Sequence, residues 1–239
     1  MKSLFDVTAL WLRRSLRTLV LLIAALLASE TAAFYLSLRA YANAGLEQVL
    51  LRSRIPLLAA VGLLLLCARL FIIGGEFSSR QSYTLRRLSV SPRGGFLARW
   101  AACTVCFVIL WGAQTAIALW LCFLYKKFGP PELWSPQAVL LAFYRSAFLH
   151  ALLPLRDAAL WVRNALVCLA LGASAARMPA RKKHSALPYL AVLTVCWFRG
   201  ELGGLMPLLL ILMSVIVIAA ALYGAFSAGE EEDDAAQTT

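Results

Sequence analysis

Charge is what this sequence has least of. Lys, Arg, Asp and Glu make up 15% of its 239 residues, while 62% are hydrophobic; soluble domains carry about a quarter charged residues. That balance excludes an ordinary water-solvated domain wrapped around one core. Histidine occurs only twice, and neither His150 nor His184 has neighbours at metal-ligand spacing. There is no G-x-x-x-x-G-K-S/T loop and no G-x-G-x-x-G, so any ATP used must be bound by another subunit. Ser, Asp and His are too scattered to form a hydrolase triad. Enzyme activity, a cofactor and a metal site are therefore not expected.

The six cysteines, Cys67, Cys103, Cys106, Cys122, Cys168 and Cys196, all fall inside apolar runs. A secreted-type disulfide framework is not expected there, and they read as small packing residues. Cys103 and Cys106 form a C-x-x-C one helical turn apart. A redox role for that pair stands against it the absence of any thioredoxin-like βαβ pattern.

What the chain has is apolar runs of about 20 residues, the helical reach across ~30 Å of hydrocarbon. They lack the strict alternation of a membrane barrel, and lipid leaves backbone polar groups no outside partner. The expected fold class is all-α, a polytopic transmembrane helical bundle. Its runs are about 18–38, 55–75, 100–125, 158–177, 186–198 and 204–227. The 186–198 run is short and needs Arg199 to snorkel or the bilayer to thin. A further segment, 138–155, carries Arg145, His150 and Pro154 and reads as a re-entrant or surface helix.

Residues 1–17 place Leu4, Phe5, Thr8, Trp11 and Leu12 on one helical face and Lys2, Asp6, Arg13 and Arg17 on the other. This is the pattern of an interfacial helix on an anionic membrane surface. A rival reading takes the first run as a signal peptide cleaved near Ala28. The long amphipathic start, and apolar character through Phe34, Tyr35 and Leu36, favour a retained span.

The net charge of +11 does not point to nucleic acid, because the basic residues sit at the ends of apolar runs. Six crossings with both termini cytoplasmic collect the clusters at 2–17, 80–99 and 177–183 on one side, as the positive-inside rule requires. Counting 138–155 as a crossing would put Arg181–His184 outside. The acidic residues 229–239 read as a disordered tail.

Ionisable residues at membrane depth are costly, from about 2.5 kcal/mol upward, and usually face a bundle interior or water. The candidates are Glu30, Arg69, Arg145, Asp157 and Arg163. Snorkelling and internal ion pairing explain them plainly; lining a substrate path is the sharper alternative.

The loop 76–99 is the most informative stretch. Leu85 and Leu88 stand one helical turn apart, flanked by Arg80, Arg86 and Arg87, giving a short helix with an apolar ridge and a basic rim. The bland reading is that these arginines hold the loop at anionic headgroups, at about 1 kcal/mol each. The run Arg80-Gln81-Ser82-Tyr83-Thr84-Leu85-Arg86-Arg87-Leu88-Ser89-Val90-Ser91-Pro92 resembles the R-E-x-G-T-L-x-x-L-x-V-S/T-P signature of the type 2 ABC exporter permeases. Gln81, Tyr83 and Arg86 depart from it, and Ala98-Arg99 stands where that family has G-K.

The resemblance implies that Arg80, Thr84, Leu85, Arg86, Arg87, Leu88 and Pro92 belong to a coupling helix that docks on a separate ABC ATPase subunit. It also implies an elbow helix before the first span, a second permease subunit, identical or sibling, and a multi-pass place in a bacterial cytoplasmic membrane. The alternative is a membrane anchor or scaffold subunit that translocates nothing.

Overall fold

The computed structural model describes residues 2–41, 43–70, 92–155, 157–177 and 206–237. The described residues form helices and turns with no strand. Helix α1 spans Lys2–Ala40, α2 Leu46–Arg52 and α3 Ile55–Leu70. Helix α4 runs Pro92–Phe128, followed by a 3-10 turn at Pro131–Leu133. Then come α5, Pro136–Arg145, α6, Ala147–Leu152, α7, Ala158–Arg177, and α8, Met206–Gln237.

Four of these helices, α1, α4, α7 and α8, are long and apolar enough to cross a membrane, and the α2–α3 pair makes a fifth if counted as one bent span. Large apolar side chains such as Leu21, Leu36, Leu57, Leu208 and Leu212 are exposed. A surface of that kind suits lipid and not water.

Helix boundaries follow local chemistry. No Gly or Pro interrupts residues 2–40, so the basic segment 1–17, expected as a separate surface helix, is continuous with the span over its described part. The 39-residue helix is roughly 58 Å long at 1.5 Å per residue. Pro92 opens α4, where its missing N–H costs nothing, and Gly129-Pro130 follows its end. Residues 92–99, expected in the loop, are therefore the first turns of α4. Ser135 caps α5 by accepting from the Ala138 N–H at 3.0 Å, and Ser146 ends α5 and caps α6.

The segment 138–155 is thus broken into helices of 10 and 6 residues. Neither reaches across ~30 Å of hydrocarbon. Helix α8 runs on through residues 229–237 to Gln237, since Glu and Ala extend an already nucleated helix readily. Between α2 and α3, Arg54 takes the left-handed conformation with φ 54°, strained for a residue with a Cβ, and the two axes bend by 50° there.

α4 is the central helix, packed against α1 on one side and α7 on the other, while α8 packs on α7. Trp11 meets Arg99, Glu30 meets Gln114 and Ala44 meets Tyr125, in the same order along both segments, so α1 and α4 are parallel. Arg99–Ala175 and Trp111–Trp161 run in opposite order, so α7 is antiparallel to α4. Arg93, near the start of α4, lies 5.2 Å from the ring of Phe226, near the end of the apolar part of α8. The early part of α1, the start of α4 and the ends of α7 and α8 therefore share one end of the bundle. The run 186–198, expected as a span, lies outside the described residues.

Small residues bring α4 and α7 together. A Cβ on Gly172 would meet the Thr104 backbone at 2.9–3.0 Å, and Ala170, Ala173, Ala175 and Ala176 around it are buried. Such close backbone approach is how membrane helices gain packing energy without a hydrophobic driving force. Cys67, Cys103, Cys106, Cys122 and Cys168 are all buried and unbridged, in keeping with packing residues.

Candidate functional site

The polar residues at membrane depth fall into two groups on either side of α4. In the first, Glu30 lies on the α1 stripe of Leu19, Leu26, Phe34 and Leu38, all buried. Spacing of three to four residues puts a carboxyl on the packed face of an otherwise apolar helix. Glu30 is 0% exposed and Gln114 3%, and the Gln114 amide Nε2 donates to both Glu30 carboxyl oxygens at 2.8 Å. Beside it, the buried Thr31 hydroxyl has no hydrogen-bond partner among the described residues.

The second group ties α6 into the bundle. Arg163 is 3% exposed and Asn164 fully buried. The Asn164 Oδ1 accepts from Arg163 Nε at 3.3 Å and Nη2 at 3.0 Å, while its Nδ2 donates to the Ala151 carbonyl at 2.8 Å. The Trp111 indole donates to the Leu152 carbonyl at 3.0 Å and the Trp161 indole to the Pro154 carbonyl at 2.6 Å. The two indole rings meet edge to face, 5.4 Å apart. Carbonyls at a helix C-terminus lack intrahelical donors; here Asn164 of α7 and Trp111 of α4 supply them to Ala151 and Leu152, and Trp161 binds the Pro154 carbonyl just beyond the helix.

Glu30 and Arg163 are thus the sequence candidates that the fold buries, and each is bonded to a neutral amide. Among the described residues no ion pair joins them. The other three are exposed. Arg69 is exposed near the end of α3, Arg145 on the last turn of α5, and Asp157 just before α7. Asp157 Oδ2 lies 3.9 Å from His150 Nε2, a long contact at the surface. Among the described residues the two buried members, Glu30 and Arg163, are bonded to amides and not to opposite charges, and Asp157 alone of the five has a charged partner, His150.

A third buried ionisable group, Arg99, was not singled out for membrane depth. Its Nη2 donates to the Ala175 carbonyl at 3.2 Å, and its guanidinium lies 5.0 Å from the Trp11 ring centre, joining α1, α4 and α7. Gln114 and Asn164 were missed as well. The available signal was an amide side chain at mid-run in an apolar helix, where it needs a partner. Of the loop residues, Arg80, Thr84, Leu85, Arg86, Arg87 and Leu88 lie outside the described residues, and Pro92 is the first residue of α4.

Chemically, the arrangement offers a buried carboxyl and a buried guanidinium held apart in two helix interfaces. Among the described residues no three His, Cys, Asp or Glu side chains gather to hold a metal ion. Comparison with protein-family models, with curated proteins and with solved structures finds no match to this chain.

Proposed function

We propose that the chain is the membrane-spanning permease subunit of an ATP-driven exporter of the type 2 ABC kind, crossing six times with both termini cytoplasmic. It works with separate ATPase subunits and a second permease subunit, and the 80–92 helix receives the push of the ATPases. The observation that carries this reading is where the signature-bearing segment attaches. α3 starts beside α2, at the end of the bundle where Ala44 meets Tyr125, and its Gly62 passes Leu26 of α1. It therefore heads toward the end where α4 begins, the end shared with the early part of α1 and the last turns of α8. Residues 70 and 92, which flank the loop, thus lie toward the same end of the bundle, and the positive-inside rule supports reading that end as cytoplasmic.

Helix α4 supports the coupling role. It begins at Pro92, the last residue of the signature, and carries Arg99, Trp111, Gln114 and Tyr125, which contact α7, α6, α1 and the chain after α1 in turn. A push on the loop acts on the helix that most of the others pack against, as rigid-body alternating access requires. Recovery of an ATPase subunit with the purified chain, dependent on Leu85 and Leu88, tests this reading.

A further inference from the structure

At the end of the bundle away from the start of α1, the first turn of α2, the last turns of α4, the 3-10 turn and α5 frame an open cleft of about 250 Å³. Leu46, Trp134, Val139 and Ala142 give it apolar walls, and its charged lining residues are Glu47 and Arg145. No ion pair between these two opposite charges is found among the described residues. The buried indole N–H of Trp134 has no hydrogen-bond partner among the described residues either.

Basic groups over aromatic rings surround this end of the bundle. Lys126 lies 4.8 Å from the Trp134 ring centre, Arg39 4.7 Å from that of Tyr35 and Arg52 4.1 Å from that of Tyr41. Aromatic rings under basic groups are the belt found where helices leave hydrocarbon for headgroups.

We propose that this cleft binds the head and glycerol region of a zwitterionic phospholipid with a primary ammonium group, its phosphate at Arg145 and its ammonium at Glu47. A purely anionic head would leave Glu47 opposed by like charge, and an acyl chain would leave both charges unmatched. A phosphate–ammonium head satisfies both by charge-assisted hydrogen bonds. An ethanolamine N–H can donate to the carboxylate, which a choline cannot. The proposal rests on the chain lying in a bilayer and not on ATPase coupling, so the two fail independently.

The test uses the full chain, purified and delipidated in detergent, with retained lipid counted by native mass spectrometry. The probes are phosphatidylethanolamine and phosphatidylglycerol of equal chain length, and inorganic phosphate as competitor. Phosphatidylethanolamine should be held about tenfold more tightly, a difference of roughly 1.4 kcal/mol. Glu47→Gln should erase that preference, and Arg145→Gln and Ala142→Trp should weaken retention of both lipids. Equal retention of the two lipids by the native chain, or a preference untouched by Glu47→Gln, would overturn the proposal. So would displacement of the lipid by inorganic phosphate at equal concentration, which would assign the cleft to free phosphate. If Ala142→Trp does not fold, the Glu47→Gln comparison still decides.

Discussion

The side-chain amide of Gln114 on α4 donates to both carboxyl oxygens of Glu30 on α1, at 2.8 Å each, with both residues buried. This bond crosses the α1–α4 interface and gives the carboxyl its hydrogen-bond donor among the described residues. Gln114→Leu should leave that carboxyl buried without its donor and cost about 1–3 kcal/mol. Combining it with Glu30→Leu should restore most of the loss, because both polar groups are then gone. Thermal unfolding of the four species in one detergent gives the cycle; additive losses would show that the pair is not coupled.

Asn164 holds Arg163 and the Ala151 carbonyl together. Asn164→Ala removes all three of these bonds, whereas Arg163→Gln leaves the anchor on α6 in place. Hydrogen exchange at the amides of His150 and Leu153, bonded to the Ser146 and Leu149 carbonyls, should accelerate about tenfold in Asn164→Ala. In Arg163→Gln it should change little. Equal acceleration in both would mean that the arginine, and not the amide, fixes α6.

Glycines in the spans should divide by what faces them. Gly172 stands against the Thr104 backbone, whereas a Cβ at Gly112 would meet nothing within 4 Å. Gly172→Val should force α7 off α4 at a cost of about 1–3 kcal/mol or more. Gly112→Ala should be neutral or stabilise by up to about 1 kcal/mol through helix propensity. Unfolding midpoints of the two variants check this directly.

Much of the bundle was legible in the sequence because hydropathy reports length and burial together. The runs at 100–125 and 158–177 reappear as the bodies of α4 and α7, and 138–155 contains two short helices of 10 and 6 residues. Less legible were features that hydropathy does not encode. Glu30 and Gln114 lie 84 residues apart, so an apolar stripe shows that a carboxyl is buried without showing what meets it. Gln114 and Asn164 carry no charge and hide inside apolar runs, so nothing in the sequence marks them as the partners of Glu30 and Arg163. The helix through 229–237 was obscured because acidic composition signals solvation, yet those residues continue a strong helix.

Topology has its own check. With the six native cysteines replaced by alanine, single cysteines introduced by Ser89→Cys and Ser185→Cys should label only from the cytoplasmic side. One introduced by Asn43→Cys should label from outside. External labelling at position 185 would remove the crossing expected between α7 and α8 and the six-span arrangement with it.

The permease reading stands most directly on the loop from Arg80 to Pro92. If Leu85 and Leu88 form a ridge seated in a groove of an ATPase, Leu85→Asp or Leu88→Asp places a charge in that groove. Arg86→Glu with Arg87→Glu should weaken the same contact in a salt-dependent way, because rim pairs are screened. If the arginines serve only to hold the loop at lipid headgroups, the leucine changes should be silent and the arginine reversals should disturb insertion. The deciding measurement is the amount of ATPase subunit that co-purifies with each variant, normalised to the amount of membrane-inserted chain. Loss of the ATPase from the Leu85→Asp and Leu88→Asp chains, with insertion unchanged, is the expected result; stoichiometric ATPase on both would contradict the coupling helix and the permease assignment built on it.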